Sequence, residues 1–239
     1  MPAPHAESAP GAAEMPSARS VVQVMRGFTF IFWGLPLTLL LYFQALDIRS
    51  MEQLRLPSYI LGMGIITAGF VLILRSGVRF PNWKRYARHG LVSSFLLIYL
   101  GPFVYWYRYM PRVGIYYLLN SIFLVVCIIW LLFAINWLAS ELGRIVGEIT
   151  LERESRMFGW SVGLMMMAPL LIIFAFSSVM AMKDETSLLS EMRMVKYESP
   201  PWIQILFLLP ISLTMMSSWK GKERCLKILR GATLHREMI

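Results

Sequence analysis

One apolar segment, residues 114–137, limits what this chain can fold into more than any other feature. It runs for 24 residues without a formal charge. At 1.5 Å per residue a helix of this length measures roughly 36 Å, enough to cross a hydrocarbon core of about 30 Å with some tilt. The segment therefore predicts a transmembrane helix.

Five further apolar runs fill most of the remaining chain, at residues 28–45, 59–74, 91–107, 159–182 and 202–218. Hydrophobic residues make up 57% of the chain and charged residues only 15%. An average soluble domain carries about 25% charged residues, so this chain lacks the polar surface that a soluble fold needs. We expect an all-α, polytopic integral membrane protein with six transmembrane helices.

The distribution of basic residues predicts the orientation. With both termini inside, 16 of the 23 Lys and Arg residues fall in inner segments, most densely in the loop at residues 75–90. Because inner loops are enriched in Lys and Arg, we expect an N-in, C-in topology, in the inner (cytoplasmic) membrane of a bacterium. Basic inner loops facing anionic lipid headgroups also account for the net charge of +9.

Three regions follow from these patterns. Residues 1–27 read as a disordered cytoplasmic tail rich in Ala, Pro and Ser, residues 28–218 as the six-helix domain, and residues 219–239 as a basic amphipathic tail. Between the fourth and fifth spans, residues 138–158 predict a cytoplasmic helical hairpin with its tip at residues 150–155.

An apolar stripe continues the fourth span into this hairpin, and we call it the hairpin stripe. Its members are Leu138, Leu142, Ile145, Val146 and Ile149. Contiguous exposed apolar surface usually marks an interaction site, so the stripe is a candidate partner-binding surface. The alternative is that it packs on the chain's own fifth helix.

Small and polar residues predict where helices pack against each other. Glycine and alanine at every fourth position allow helix backbones to approach closely, and an amide in an apolar span favours the bundle interior. We also expect Asn136 to hydrogen-bond across helices. The predicted packing residues are Asn120, Cys127, Ala139, Gly143, Gly147, Gly159 and Gly163.

An aromatic and basic patch lies between the third and fourth spans, on the predicted outer side. One interpretation is a docking patch that uses cation–π contacts, and the other is an ordinary aromatic belt at the membrane interface. Its residues are Tyr105, Trp106, Tyr107, Arg108, Tyr109, Arg112, Tyr116 and Tyr117.

The sequence offers little catalytic chemistry. No Asp, Glu, Lys, Arg or His interrupts the six apolar runs, which argues against proton relays, haem ligation and intramembrane metal sites. The motif GWSVG at residues 159–163 matches a nucleophile elbow, but it opens an apolar helix instead of following a strand. Cys225 lies among cations that favour a low thiol pKa, or else is inert. We predict no enzyme activity and no cofactor.

Two functions remain open at this stage. The first is a non-catalytic membrane subunit or scaffold that binds other membrane-complex subunits and anionic lipid through the hairpin and tail, without nucleic acid. The second is a permease for an uncharged or lipophilic substrate, driven by a separate ATPase. Its path would follow helices bent at Pro36, Pro102, Pro169 and Pro210.

Overall fold

The computed structural model describes residues 17–42, 58–78, 80–109, 115–181 and 201–237, and every regular element within them is an α-helix. The all-α prediction is therefore confirmed for this part of the chain. In chain order the helices are α1 Ala18–Tyr42, α2 Tyr59–Arg75, α3 Pro81–Tyr109, α4 Ile115–Val146, α5 Ile149–Ala181 and α6 Pro201–Glu237.

The six helices close into a ring. Each helix packs against the next one in the chain, α6 returns to α1, and α6 also contacts α4. The last helix therefore touches three others, α1, α4 and α5. Through these contacts α6 connects the N-terminal helix α1 to α4 and α5.

Both ends of the described chain lie at the same end of the bundle. One small apolar cavity is lined by residues from the start of α1, the α2–α3 connection, the start of α3, the end of α4 and the downstream part of α6. They include Val21, Val78, Trp83, Leu142 and Cys225. Helix directions therefore alternate, as an N-in, C-in topology requires, and we call this the inner end of the bundle.

Glycines bring α1 and α2 into close contact. A Cβ atom at Gly69 would lie 2.8 Å from the carbonyl oxygen of Gly27, and one at Gly62 would lie 2.7 Å from the backbone nitrogen of Thr38. Gly34 faces Ile66 in the same way. This contact was not predicted, although Gly27 and Gly34, like Gly62 and Gly69, are seven residues apart in the sequence.

Two predicted boundaries are wrong. α1 begins at Ala18, so residues 18–27 are helical, because Val21 and Val24 continue its buried face. The hairpin turns at Gly147, before the predicted tip at residues 150–155. Residues 219–237, predicted as part of a basic amphipathic tail, continue α6 without a break.

The hairpin turn has a specific local cause. Gly147 adopts φ +74°, a left-handed conformation that costs glycine little. The amide of Glu148 donates to the carbonyl of Gly143 at 2.8 Å, and the amide of Gly147 donates to that of Arg144 at 3.3 Å. This pair of bonds is a Schellman motif, which ends α4 and lets α5 begin two residues later.

Within the described ranges, two helices are long and apolar enough to cross a membrane. They are Ala18–Leu41 within α1, with a mean hydropathy of 1.6, and Ile122–Val146 within α4, with 2.7. Tyr59–Arg75 is apolar but shorter. The six-span topology itself stays a prediction.

Candidate functional site

Most of the charged side chains that the structure describes lie at the inner end of the bundle. It contains the α4–α5 hairpin, the basic start of α3 and the part of α6 at residues 219–230, which we call the α6 extension. The carboxylates and cations of these elements meet there.

The hairpin stripe is largely covered. Leu138 and Leu142 are buried, with exposed fractions of 0% and 5%, and Ile145 and Val146 pack partly buried against the core. Only Ile149 is exposed, at 71%. The expectation of five exposed side chains is therefore wrong for Leu138 and Leu142.

The α6 extension provides much of this cover. Leu142, Ile145 and Val146 share the wall of the apolar cavity with Cys225 and Ile228. A Cβ atom at Gly221 would lie 3.5 Å from the Leu142 side chain, an ordinary contact distance. The stripe therefore packs inside the chain, against α6 and the first turns of α1 and α3.

The predicted packing glycines divide into two groups. Ala139 is fully buried, a Cβ at Gly143 would lie 2.6 Å from the backbone nitrogen of Glu152, and one at Gly159 would touch Asn136 at 3.4 Å. These three positions lie in the α4–α5 contact. Gly147 and Gly163 would meet nothing within 4 Å, so their predicted packing role is wrong within the described chain.

A buried polar network joins α4 to α6. The Asn136 amide, fully buried, donates to the Thr214 hydroxyl at 2.9 Å and to the carbonyl of Leu132 at 2.9 Å. The Ser217 hydroxyl donates to the Asn136 side-chain oxygen at 2.6 Å. The predicted role of Asn136 in joining helices is confirmed. Cys127 is buried on the same helix, while Asn120 is half-buried and has a partner.

Two ion pairs connect the hairpin to the α6 extension. Glu148, directly after the hairpin turn, pairs with Arg224 at 2.6 Å. Glu154 on α5 pairs with Lys220. Both pairs lie on the rim of a groove between the hairpin and α6, and their side chains are 27% to 41% exposed.

The remaining acidic groups at the inner end are also neutralised. Glu141, only 8% exposed, pairs with Arg144 at 2.7 Å and accepts a hydrogen bond from Asn82 at 3.4 Å. Glu152 pairs with Arg156 at 2.7 Å and Glu223 with Lys227 at 3.1 Å. Each of the five inner-end glutamates whose side chains the structure describes between residues 141 and 154 or at 223 is therefore paired with a cation.

Seven exposed cations have no acidic partner within the residues described. The α3 members lie on its first turns, so they face the same way as the inner ends of α1 and α2. Their excess gives the inner end a strongly positive potential. The seven are Arg19, Arg26, Arg75, Lys84, Arg85, Arg88 and Arg153.

Cys225 is an inert thiol in this arrangement. Burial raises the pKa of Cys225 from its ordinary value of 9.0 to about 12, because the apolar cavity disfavours the thiolate. The expectation that neighbouring cations lower this pKa is wrong. Those cations lie on the rim, paired with carboxylates, whereas the sulfur points into the bundle.

The remaining candidates carry less information. The side chains of the aromatic and basic patch, Tyr105 to Tyr117, lie outside the described residues. Ser161 lies within α5 and follows no strand. In the described ranges, no three His, Cys, Asp or Glu side chains are grouped closely enough to hold a metal ion.

The comparisons with known proteins give no family. No protein-family model, no curated protein and no solved structure matches this chain. Its function is therefore argued from its own residues.

Proposed function

We propose that this protein is a non-catalytic, six-pass integral membrane subunit that binds anionic lipid and partner proteins at its inner face, in a bacterial cytoplasmic membrane. The observation that carries the proposal is the contrast between an apolar exterior and a basic inner end on the same helices. Each of these features supports one part of it.

The apolar exterior supports six spans. All six helices turn large apolar side chains outward, among them Trp33 of α1, Phe95 of α3 and Leu164 of α5, with exposed fractions of 60%, 56% and 74%. Outward apolar residues on most of these helices are three or four positions apart and so form stripes. A soluble bundle would place charges there, whereas lipid is the natural neighbour of such stripes.

The interior supports the same environment. The Asn136 network is the kind of interhelical hydrogen bonding that stabilises helix association where the surroundings cannot compete for the bonds. Close glycine contacts between α1 and α2 are equally typical of membrane helices.

The basic inner end supports lipid binding. Cytoplasmic leaflets carry anionic headgroups, and each nearby Lys or Arg contributes about 1 kcal/mol of attraction. The unpaired cations on α3, Lys84, Arg85 and Arg88, are exposed and free to meet phosphates. A partner protein would meet the tip of the hairpin, where Ile149 and Arg153 are exposed.

The permease alternative has weaker support. The interior of the described bundle is filled by large side chains such as Phe28, Ile66 and Phe70, each fully buried. Pro210 is buried, and its carbonyl accepts the Thr214 hydroxyl at 2.9 Å, so it does not line an open path in the described bundle.

The test measures anionic phospholipid retained after mild detergent extraction. The variant Arg85→Gln removes an unpaired cation, and Arg156→Gln removes a cation that is paired within α5, with the same change in net charge. We expect the first variant to lose anionic lipid and the second to keep it, with the same elution volume for both. Equal retention in both variants would argue against lipid binding at the inner face.

The partner-binding part needs its own measurement. Ile149→Ser at the hairpin tip should leave the unfolding temperature unchanged while releasing a co-purifying subunit. Co-purification of a stoichiometric ATPase, together with ATP-dependent substrate movement, would favour the permease instead.

A further inference from the structure

The two parts of α6 are held in the bundle by different kinds of contact. Upstream of Trp219, buried hydrogen bonds join Asn136 of α4 to Thr214, which accepts, and to Ser217, which donates. Downstream, the α6 extension is held at its rim by the partly exposed pairs Glu154–Lys220 and Glu148–Arg224. Exposed ion pairs contribute little to stability and weaken as salt rises, so the extension is the less firmly held part.

Contacts beneath the extension are also incomplete. The apolar cavity lined by Val24, Trp83, Leu142, Cys225 and Ile228 retains a void of about 20 Å³. Gly221 lies at the point where the buried hydrogen bonds end. Because glycine weakens a helix, Gly221 is the natural hinge between the two parts of α6.

The cations that hold the extension suit a second acceptor. Lys220 and Arg224 pair with hairpin carboxylates, Lys222 lies 4.5 Å from the Trp219 ring centroid, and Lys227 pairs only within the extension. A basic helix with Leu226, Ile228 and Leu229 between its cations has the composition of segments that adsorb to anionic membranes. Lipid phosphates and the carboxylates of Glu148 and Glu154 therefore compete for the same two side chains.

We propose that the α6 extension is a displaceable cover: it exchanges between the hairpin carboxylates Glu148 and Glu154 and anionic lipid headgroups, and its release uncovers the hairpin stripe. In the covered state Leu142, Ile145 and Val146 are closed off. In the released state they become exposed, together with Cys225. This inference rests on the membrane location proposed above.

Cys225 reports the two states directly. It is buried under the extension, and the high pKa of its thiol keeps the reactive thiolate scarce while the cover is closed. Since Cys127 is the only other cysteine, a Cys127→Ala background leaves Cys225 as the single thiol.

The experiment follows the rate of maleimide labelling of Cys225 in the full-length protein. Reconstitution in vesicles of phosphatidylcholine alone is compared with vesicles containing about a third phosphatidylglycerol. We expect faster labelling in the anionic vesicles. The variant Glu148→Gln/Glu154→Gln should label about tenfold faster than its parent in neutral vesicles.

Two further variants test whether faster labelling of Cys225 comes from general destabilisation of the fold instead of from loss of the two rim pairs. Glu152→Gln removes a carboxylate that pairs within α5, so it should label at the parent rate. The exchange Glu148→Arg/Arg224→Glu restores the pair with its charges reversed and should return slow labelling relative to Glu148→Arg alone. A rate that is the same in all variants and both vesicles would overturn the proposal, as would equal acceleration in Glu152→Gln.

Labelling in neutral detergent tests the displaceable cover independently of the proposed membrane location. In neutral detergent, about 0.5 M salt should accelerate labelling of the parent protein, because it screens the rim pairs without any bilayer. Salt-insensitive labelling there contradicts the cover itself. Failure to reconstitute with normal labelling in detergent would contradict the membrane location instead.

Discussion

Asn136 on α4 donates a hydrogen bond of 2.9 Å to Thr214 on α6, and both side chains are fully buried. The two residues are 78 positions apart in sequence. Their bond joins α6 to α4, and the Ser217 hydroxyl belongs to the same network because it donates to Asn136.

Replacing Asn136 with leucine should lower the free energy of unfolding by about 1–3 kcal/mol, since the Ser217 hydroxyl loses its buried acceptor. Thermal unfolding in detergent measures the loss. Ser212→Ala is the matched control, because that hydroxyl is exposed and bonds only to Leu208 within its own helix. Equal unfolding temperatures for the two variants would contradict a stabilising network.

The α1–α2 contact predicts a difference between two neighbouring glycines. Gly62→Ala should cost about 1–3 kcal/mol, because the added methyl group meets the backbone of Thr38. Gly64→Ala meets nothing within 4 Å and should be neutral or slightly stabilising, through better helix propensity. If both variants unfold at the parent temperature, the two helices are not as close as the structure has them.

The hairpin predicts a second contrast, between Gly147 and Gly163. Neither would meet a neighbour, but only Gly147 has a positive φ. Gly147→Ala should therefore cost about 1 kcal/mol through backbone strain alone, while Gly163→Ala costs nothing. Chemical or thermal denaturation of the two variants measures the difference, and the reverse ranking would contradict the turn described here.

Cys225 predicts a pH dependence. Its pKa rises from 9.0 to about 12 on folding, so above pH 9 the unfolded chain releases a proton that the folded chain keeps. The contribution to stability is complete below that pH and is lost as the pH rises toward 12. Between about pH 8 and pH 10 the parent protein should lose more stability than Cys225→Ala. Parallel curves would show that Cys225 is accessible in the folded state.

Much of the fold could be read from sequence, because apolar runs and helix periodicity are local signals. The start of α2 at Tyr59 and the existence of the α4–α5 hairpin follow from them. The position of the hairpin turn was predicted incorrectly. The apolar stripe ends near residues 150–155, but the chain turns earlier because Gly147 adopts the left-handed conformation.

Long-range pairing limited the site prediction. The sequence shows that Leu142 belongs to an apolar stripe. It does not show that the α6 extension covers this stripe, because the two segments are far apart in the chain. Cys225 illustrates the same limit, because its neighbours in sequence are cations and its neighbours in space are aliphatic. The close contact of α1 and α2 was not predicted either, although the spacing of seven between its glycines is a signal that the sequence contains.

The central claim is the six-pass topology with a basic inner end, and labelling of single cysteines with a membrane-impermeant thiol reagent tests it most directly. In a background lacking Cys127 and Cys225, cysteines replace Ser50, Ser187 and Thr150 in turn. Thr150 is chosen because it is exposed at the hairpin, whereas Ser155 is buried and would stay silent on either side. The account predicts that intact cells label Ser50→Cys and Ser187→Cys, and that Thr150→Cys labels only after permeabilisation. Labelling of Thr150→Cys in intact cells, with no labelling of Ser50→Cys or Ser187→Cys, would contradict it.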